Sequence, residues 1–192
     1  MKCPSCLGLL EMATPKCPHC GLIMRRLDVK FGVVPHQTAF LTDRQGHLPA
    51  REARILRMLL RSFHGKFPQC LFSVFLSEQL PGPIGEYTFW MANRARLGSI
   101  EATGAENFDL LLGIDVDARA AALVIGYGLE HYLTENDLER VLVPAADAFH
   151  AGDFARGIRI CLELLTERMK NLVLALEQAQ QVIVSPSPGN IA

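Results

Sequence analysis

Apolar residues recur along this chain in blocks whose spacing changes from segment to segment, and the changes mark out the elements. Residues 49–64 (PAREARILRMLLRSFH) place Ile55, Leu56, Leu59, Leu60 and Phe63 at helical spacing behind Pro49, which predicts an amphipathic helix. Residues 70–76 (CLFSVFL) are a short continuous apolar run of the kind a buried strand shows. A Pro/Gly-rich turn follows, then a helix over 84–96 that carries Trp90 and Asn93. The runs Phe108–Ile114 and Ala120–Ile125, joined across Asp115-Val116-Asp117-Ala118-Arg119, predict a hairpin. Nearer the N-terminus, Leu27–Val34 alternates and reads as a strand ended by Pro35, and residues 97–107 read as a loop. The last third is helical, over about 135–150 with Pro144 as a break and again over 153–181, where Asp153 is placed as an N-cap. The segment Ser185-Pro186-Ser187-Pro188-Gly189-Asn190 has the composition of a disordered end.

Strands alternating with helices predict an α/β fold, a three-layer α/β/α sandwich, and the hairpin makes its sheet mixed. With 192 residues and 49% apolar content the chain has room for one sizeable core and a small appendage. We divide it into a ribbon over 1–24, an α/β domain over 25–182 and a tail over 183–192. A net charge of −1 argues against a nucleic-acid binder, although residues 1–30 carry five Lys/Arg against two Asp/Glu. No secretory signal or membrane span is visible, so the expected compartment is the cytoplasm.

The appendage carries the clearest chemistry. Cys3-Pro4-Ser5-Cys6 and Cys17-Pro18-His19-Cys20-Gly21 are two C-x2-C pairs, a spacing that lets two knuckles close over one tetrahedral zinc ion held by Cys3, Cys6, Cys17 and Cys20. So short a segment cannot build a core, and the structural zinc would supply its folding energy. Two disulfides are the alternative, disfavoured by a reducing compartment. A redox dithiol is disfavoured by the doubled pair and the missing βαβ context. His19 is a loop residue, since four thiolates complete the site. Leu7, Leu9, Leu10, Leu22 and Ile23 offer apolar surface for docking, and no aromatic stacking residue occurs in the first 30 positions, so another protein is the expected partner and nucleic acid is not. Cys70 and Cys161 lie within apolar patterns and read as core thiols.

Trp90 and Asn93, the apolar strand 108–114, Gly126-Tyr127-Gly128-Leu129-Glu130, Leu133-Thr134, Pro144 and the stretch from Phe149 to Gly157 together resemble the TPM domain over about residues 31–172. That module occurs in a thylakoid lumen protein of photosystem II repair with acid phosphatase activity and in many bacterial proteins. The resemblance implies a divalent-metal or phosphatase site in the loops. Where family members carry an acid in Asp-x-Ala-x-x-Leu-Ser, this chain has Gln37-Thr38-Ala39-Phe40-Leu41-Thr42, and the family's Asp-Asn-Gly appears as Glu106-Asn107-Phe108. Family members also commonly carry a signal peptide or membrane anchor.

The hairpin brings the residues before Phe108 towards those after Ile125, so Glu106, Asn107, Glu130 and Glu135 form a candidate cluster for a second, hard cation, calcium or magnesium. Glu130 has a plainer role open to it, as a helix cap or an arginine's partner. Asp115-Val116-Asp117 is a hairpin turn rather than an aspartate nucleophile site, because Arg119 stands where that motif wants Thr or Val. Gly126-x-Gly128 lacks the third glycine or lysine of a phosphate loop, and no Cys-x5-Arg or His-Glu-x-x-His motif is present. Arg51, Arg54, Arg57 and Arg61 make a solvated helix face, and His131 and His150 have no catalytic partner in sequence. Two functions of different class follow: a non-catalytic interaction module of an assembly or repair complex, and a metal-dependent phosphatase of the TPM type.

Overall fold

A computed structural model describes residues 2–11, 14–95 and 108–184, with the side chains of 181–184 left aside. The loop expected at 97–107, with Glu106 and Asn107, and the tail beyond Val184 lie outside the described residues. Four strands form one sheet in the order β1 (Leu41–Asp43), β2 (Phe72–Ser77), β3 (Leu110–Asp115) and β4 (Ala120–Ile125). The first three run parallel and β4 returns antiparallel, with Leu112 opposite Leu123. The sheet is therefore mixed, as the hairpin requires.

Alternation along the strands sorts side chains onto two faces. Phe72, Val74 and Leu76 of β2 point to one side, where α2 (Ala50–Lys66), α4 (Glu135–Leu142), α5 (Ala146–His150) and α6 (Phe154–Val184) cover them with residues such as Leu56, Phe63, Ile158 and Leu165. Phe75 points to the other side and meets Leu27 and Phe31 of α1 (Met24–Phe31) and Tyr87, Trp90 and Met91 of α3 (Ile84–Arg94). This is the three-layer α/β/α arrangement. Both parallel connections step across the sheet in the same direction while α2 and α3 lie on opposite faces, so the two crossovers have opposite hands.

One element differs in kind from expectation: residues 24–31 are helix, not strand. Leu27 and Phe31 sit four apart on the buried face, while Val29, which completed the apparent alternation, is 81% exposed. Asp28 fixes the helix, accepting a hydrogen bond from Trp90 Nε1–H at 3.0 Å and a bidentate pair from Arg94 at 2.8 Å on each oxygen. The arginine ion pair and the indole hydrogen bond hold its carboxyl below the usual range. Gly32, at φ 75°, ends the helix before Pro35 is reached. Strand β1 was not anticipated, because three residues are too few to show a period. Elsewhere Pro144 opens a single 3-10 turn (Val143–Ala145) between α4 and α5, and Asp153 Oδ1 accepts from Arg156 N–H at 3.1 Å as an N-cap does.

A capping box opens α4. Thr134 Oγ1 accepts from Asp137 N–H and Asp137 Oδ2 accepts from Thr134 N–H at 2.9 Å. Arg168 of α6 donates to the same carboxylate at 2.7 and 3.2 Å, and this ion pair, reinforced by the cap, holds the Asp137 carboxyl down to about 2 against an ordinary 3.8. A depressed carboxyl stabilises the fold above its unfolded value and loses that contribution as pH falls through the folded one. The expected contribution is roughly 2 kcal/mol at neutral pH, lost between about pH 4 and 2. Urea midpoints against pH should show this acid limb in the parent and a flattened one in Asp137→Asn; identical limbs would remove the assignment.

Candidate functional site

In the ribbon, the Sγ atoms of Cys3, Cys6, Cys17 and Cys20 all lie within 4.8 Å of one another. The Cys3–Cys20 and Cys6–Cys17 separations are 3.6 and 3.7 Å. Sulfurs at the corners of a tetrahedron with Zn–S bonds of about 2.3 Å stand about 3.8 Å apart, so the donor set fits one metal ion of that size. Each knuckle is closed by its backbone: Leu7 N–H donates to Cys3 C=O and Gly21 N–H to Cys17 C=O, both at 2.9 Å. Gly21 has φ 72°, a left-handed turn that glycine adopts without a Cβ penalty. His19 is not among the metal-sharing group; its ring packs over Gly8, where an added Cβ would come within 2.5 Å of it. Among the described residues these cysteines are the one group of His, Cys, Asp and Glu placed to share an ion. Cys70 and Cys161 are buried, and burial pushes their thiols up to about 11 and about 12, as inert core thiols.

The C-terminal ends of parallel strands, where α/β folds usually hold ligands, are occupied by loop construction. Asp43 accepts from the N–H groups of Gly46, His47 and Leu48 at 2.9–3.0 Å. Asp115 accepts from Ala118 N–H at 3.0 Å and Asp117 from Gln79 N–H at 2.8 Å, which confirms the hairpin turn. Arg51, Arg54, Arg57 and Arg61 are exposed along α2, and His131 and His150 are exposed as well.

Open space lies instead at the β4 edge. A cleft of about 510 Å³ is walled by Leu7 and Leu9 of the ribbon, by Phe89 and Asn93 of α3 and by Leu138 and Leu142 of α4, with Ala122–Ile125 along its floor. Its acidic lining is Asp109, Glu130, Glu135 and Glu139, and its one described cation is Lys2. Lys2 is tied to Glu135 at 2.5 Å in an exposed pair. Burial raises the Glu130 carboxyl, and burial together with Glu130 raises the Tyr127 phenol. Tyr127 Oη–H reaches Asn93 Oδ1 at 3.5 Å, and Asp109 Oδ1 accepts from Leu71 N–H at 3.2 Å.

Of the expected cluster, then, the structure brings Glu130 and Glu135 into one cleft. Asp109 and Glu139 join them without having been singled out. Asp109 directly precedes β3, two residues after Asn107, and Glu139 follows Glu135 by one helical turn on α4, so both signals were available. Nothing local in the sequence showed that the ribbon would form a wall.

Residues 42–168 match the TPM domain. The chain belongs to the TPM domain family. Among solved structures, the TPM chain resembles the N-terminal domain of a protein from P. gingivalis at TM-score 0.59 and 20% identity, covering 84% of this chain and 94% of that one. It also resembles the BA42 protein of the psychrophile Bizionia argentinensis (TM-score 0.58, 13% identity, 68% of this chain and 86% of that one). A third is the N-terminal domain of the cg2496 protein of Corynebacterium glutamicum (TM-score 0.53, 14% identity, 71% and 83%). At these identities the likeness speaks for the fold. No curated protein matches the chain.

Several residues that carried the TPM resemblance have packing reasons. Trp90 is held by Asp28. Gly128 lies under the Phe108 ring and Gly157 under the Phe149 ring, where added Cβ atoms would approach to 2.9 and 2.4 Å. Thr134 is the cap of α4. Among the described residues no helix is long and apolar enough to cross a membrane.

Proposed function

We propose that this protein is a non-catalytic interaction module of the cytoplasm, in which a zinc ribbon and a TPM domain together present a binding surface for another protein in an assembly or repair complex. The reading is carried by the make-up of the cleft. Its walls are largely apolar, and among the described residues its lining carries four carboxylates and one lysine, which is paired with Glu135. A phosphomonoester dianion entering such a site would meet net negative charge, whereas an apolar protein segment would not. Zinc is the metal that four thiolates at these separations suit, and a reducing compartment keeps them available.

The alternative is a divalent-metal-dependent phosphatase. It draws on Asp109, Asn93 and Glu130, oxygen-bearing side chains that line the same cleft and that, with Glu106 and Asn107, would suit calcium or magnesium. The two readings separate in one assay. Hydrolysis of a generic phosphomonoester by zinc-loaded protein in magnesium, calcium or manganese is run beside Glu130→Gln. The expected result is no metal-dependent turnover by either protein. Turnover in the parent that the substitution abolishes would replace the module reading with the enzyme.

A further inference from the structure

The two edges of the sheet are protected very differently. β1 is three residues long, and shortness alone blunts it as a template for pairing. β4 is six residues of Ala-Ala-Ala-Leu-Val-Ile, in unbroken register with β3, with no charge, proline, glycine or bulge among them. Natural edge strands ordinarily carry at least one such guard.

The pairing geometry shows which of its backbone groups are open. Gly126 N–H donates to Asp109 C=O at 2.7 Å, and Leu110 N–H donates to Leu71 C=O at 2.8 Å. With Leu110 opposite Ile125, the alternation of an antiparallel pair turns the N–H and C=O groups of Ala121, Leu123 and Ile125 away from β3. Among the described residues no hydrogen bond reaches them from the far side. Leu123 and Ile125 line the cleft, so their outward groups open into it between the ribbon and α4.

We propose that β4 takes a fifth strand in this cleft: an extended segment of a partner protein, apolar at alternate positions and carrying a lysine or arginine. The proposal rests on the interaction-module reading and names the partner's chemistry. Main-chain pairing with Leu123 and Ile125 supplies the attachment. Leu7 and Leu9, 68% and 73% exposed in the free protein, supply an apolar wall on one side, with Leu138 and Leu142 on the other. The basic residue follows from charge: with Lys2 engaged by Glu135, Glu139 leaves the described lining with an acidic excess. The same excess disfavours a second copy of this chain, which would bring its own carboxylates to the seam.

The test is selection of displayed random peptides, long enough to span β4, against the full metal-loaded chain, followed by amide NMR spectra of the protein with each enriched peptide. Enriched peptides should alternate apolar residues and carry Lys or Arg, and should move the Leu123 and Ile125 amides most. N-methylating alternate amides of a peptide, which leaves the protein untouched, should weaken binding about 10-fold or more in one of the two phases. Ile125→Pro, which removes an outward donor without touching the β3 ladder, should do the same. Glu139→Lys should lose the preference for basic peptides. Failure to enrich any peptide, or equal binding by both N-methylated phases, overturns the proposal. Peptides that bind but shift residues outside the cleft sink the added strand while leaving the module reading intact. Concentration-dependent dimerisation abolished by Ile125→Pro assigns the edge to a second copy instead.

Discussion

Replacing Cys17 by serine is expected to empty the ribbon of its metal and unfold it while the TPM domain stays folded. The parent chain should carry one zinc ion. The substitution should cut affinity by more than the roughly 10–100-fold that outer-shell changes cost, since it removes a ligand outright. The reason is that the ribbon has almost no core of its own. Its fully buried side chains are Cys3 and Cys17 themselves, whereas Leu7 and Leu9 face outward. What remains among the described residues is a handful of backbone hydrogen bonds within each knuckle and an isolated bridge between Lys2 and Leu9. Metal binding, worth about 10–16 kcal/mol in comparable zinc peptides, is therefore expected to supply the folding free energy. Among the described residues the ribbon meets the domain through the exposed Lys2–Glu135 pair, through Ser5 beside the Glu86 carboxylate that Lys30 also holds, and through Leu22, which packs against the cluster of Leu27, Phe31 and Trp90. Their loss should leave the domain's urea midpoint nearly unchanged. Hydrogen exchange is the decisive measurement: amides of residues 3–9 and 17–22 should lose protection in Cys17→Ser and in chelator-treated parent, and should keep it in His19→Ala. Protection unaltered by metal removal would mean that something other than the four thiolates holds the ribbon. Because Leu7 and Leu9 wall the cleft, the same treatment should weaken any peptide bound along β4.

What was legible in the sequence and what was not divide along the range of the interactions. The helix α2 and the hairpin β3–β4 could be read because each is a local period, and the four cysteines because their spacing is itself the chemistry. Helix α1 was misread because Leu27, Val29 and Phe31 alternate as a strand would. The partner that decides the matter, Asp28 with Trp90 and Arg94, lies more than sixty residues away along the chain. Strand β1 follows Phe40 at φ 74° and pairs with β2 through Val74 N–H to Phe40 C=O, again a contact no short window contains. The candidate site shows the same limit. Glu130 and Glu135 could be proposed as neighbours from the hairpin, but the cleft they share exists only because the ribbon packs across from α4. The acids Asp109 and Glu139 acquire interest from that wall, not from their own sequence context.

Gly113→Ala is expected to destabilise the domain by about 2–3 kcal/mol, the cost of overpacking a core that has no room to give. Gly113 sits mid-strand in β3, between Phe75 and Ala122. A Cβ there would come within 2.1 Å of Thr88 Oγ1 and 3.1 Å of Thr88 Cβ and Cγ2. Rotating the threonine cannot clear all three, and Thr88, 1% exposed on α3, has no solvent to turn into. The glycine is thus the reason α3 can lie so close to the sheet. Its partner makes the claim testable. The Thr88 hydroxyl has no hydrogen-bond partner among the described residues, so Thr88→Ala removes a buried unsatisfied group along with a methyl. Alone it should change stability by no more than about 1 kcal/mol. In the Gly113→Ala background it should return most of the loss, giving a coupling of about 1–3 kcal/mol in a double-mutant cycle read from urea midpoints at constant m. Additive effects would show that the strain lies in the strand backbone and not in the contact with α3. The outcome reaches the cleft as well, since Phe89 and Asn93 on α3 form its wall. If the single alanine pushes α3 outward, the wall moves with it, and peptide binding along β4 should weaken in Gly113→Ala and recover in the double variant.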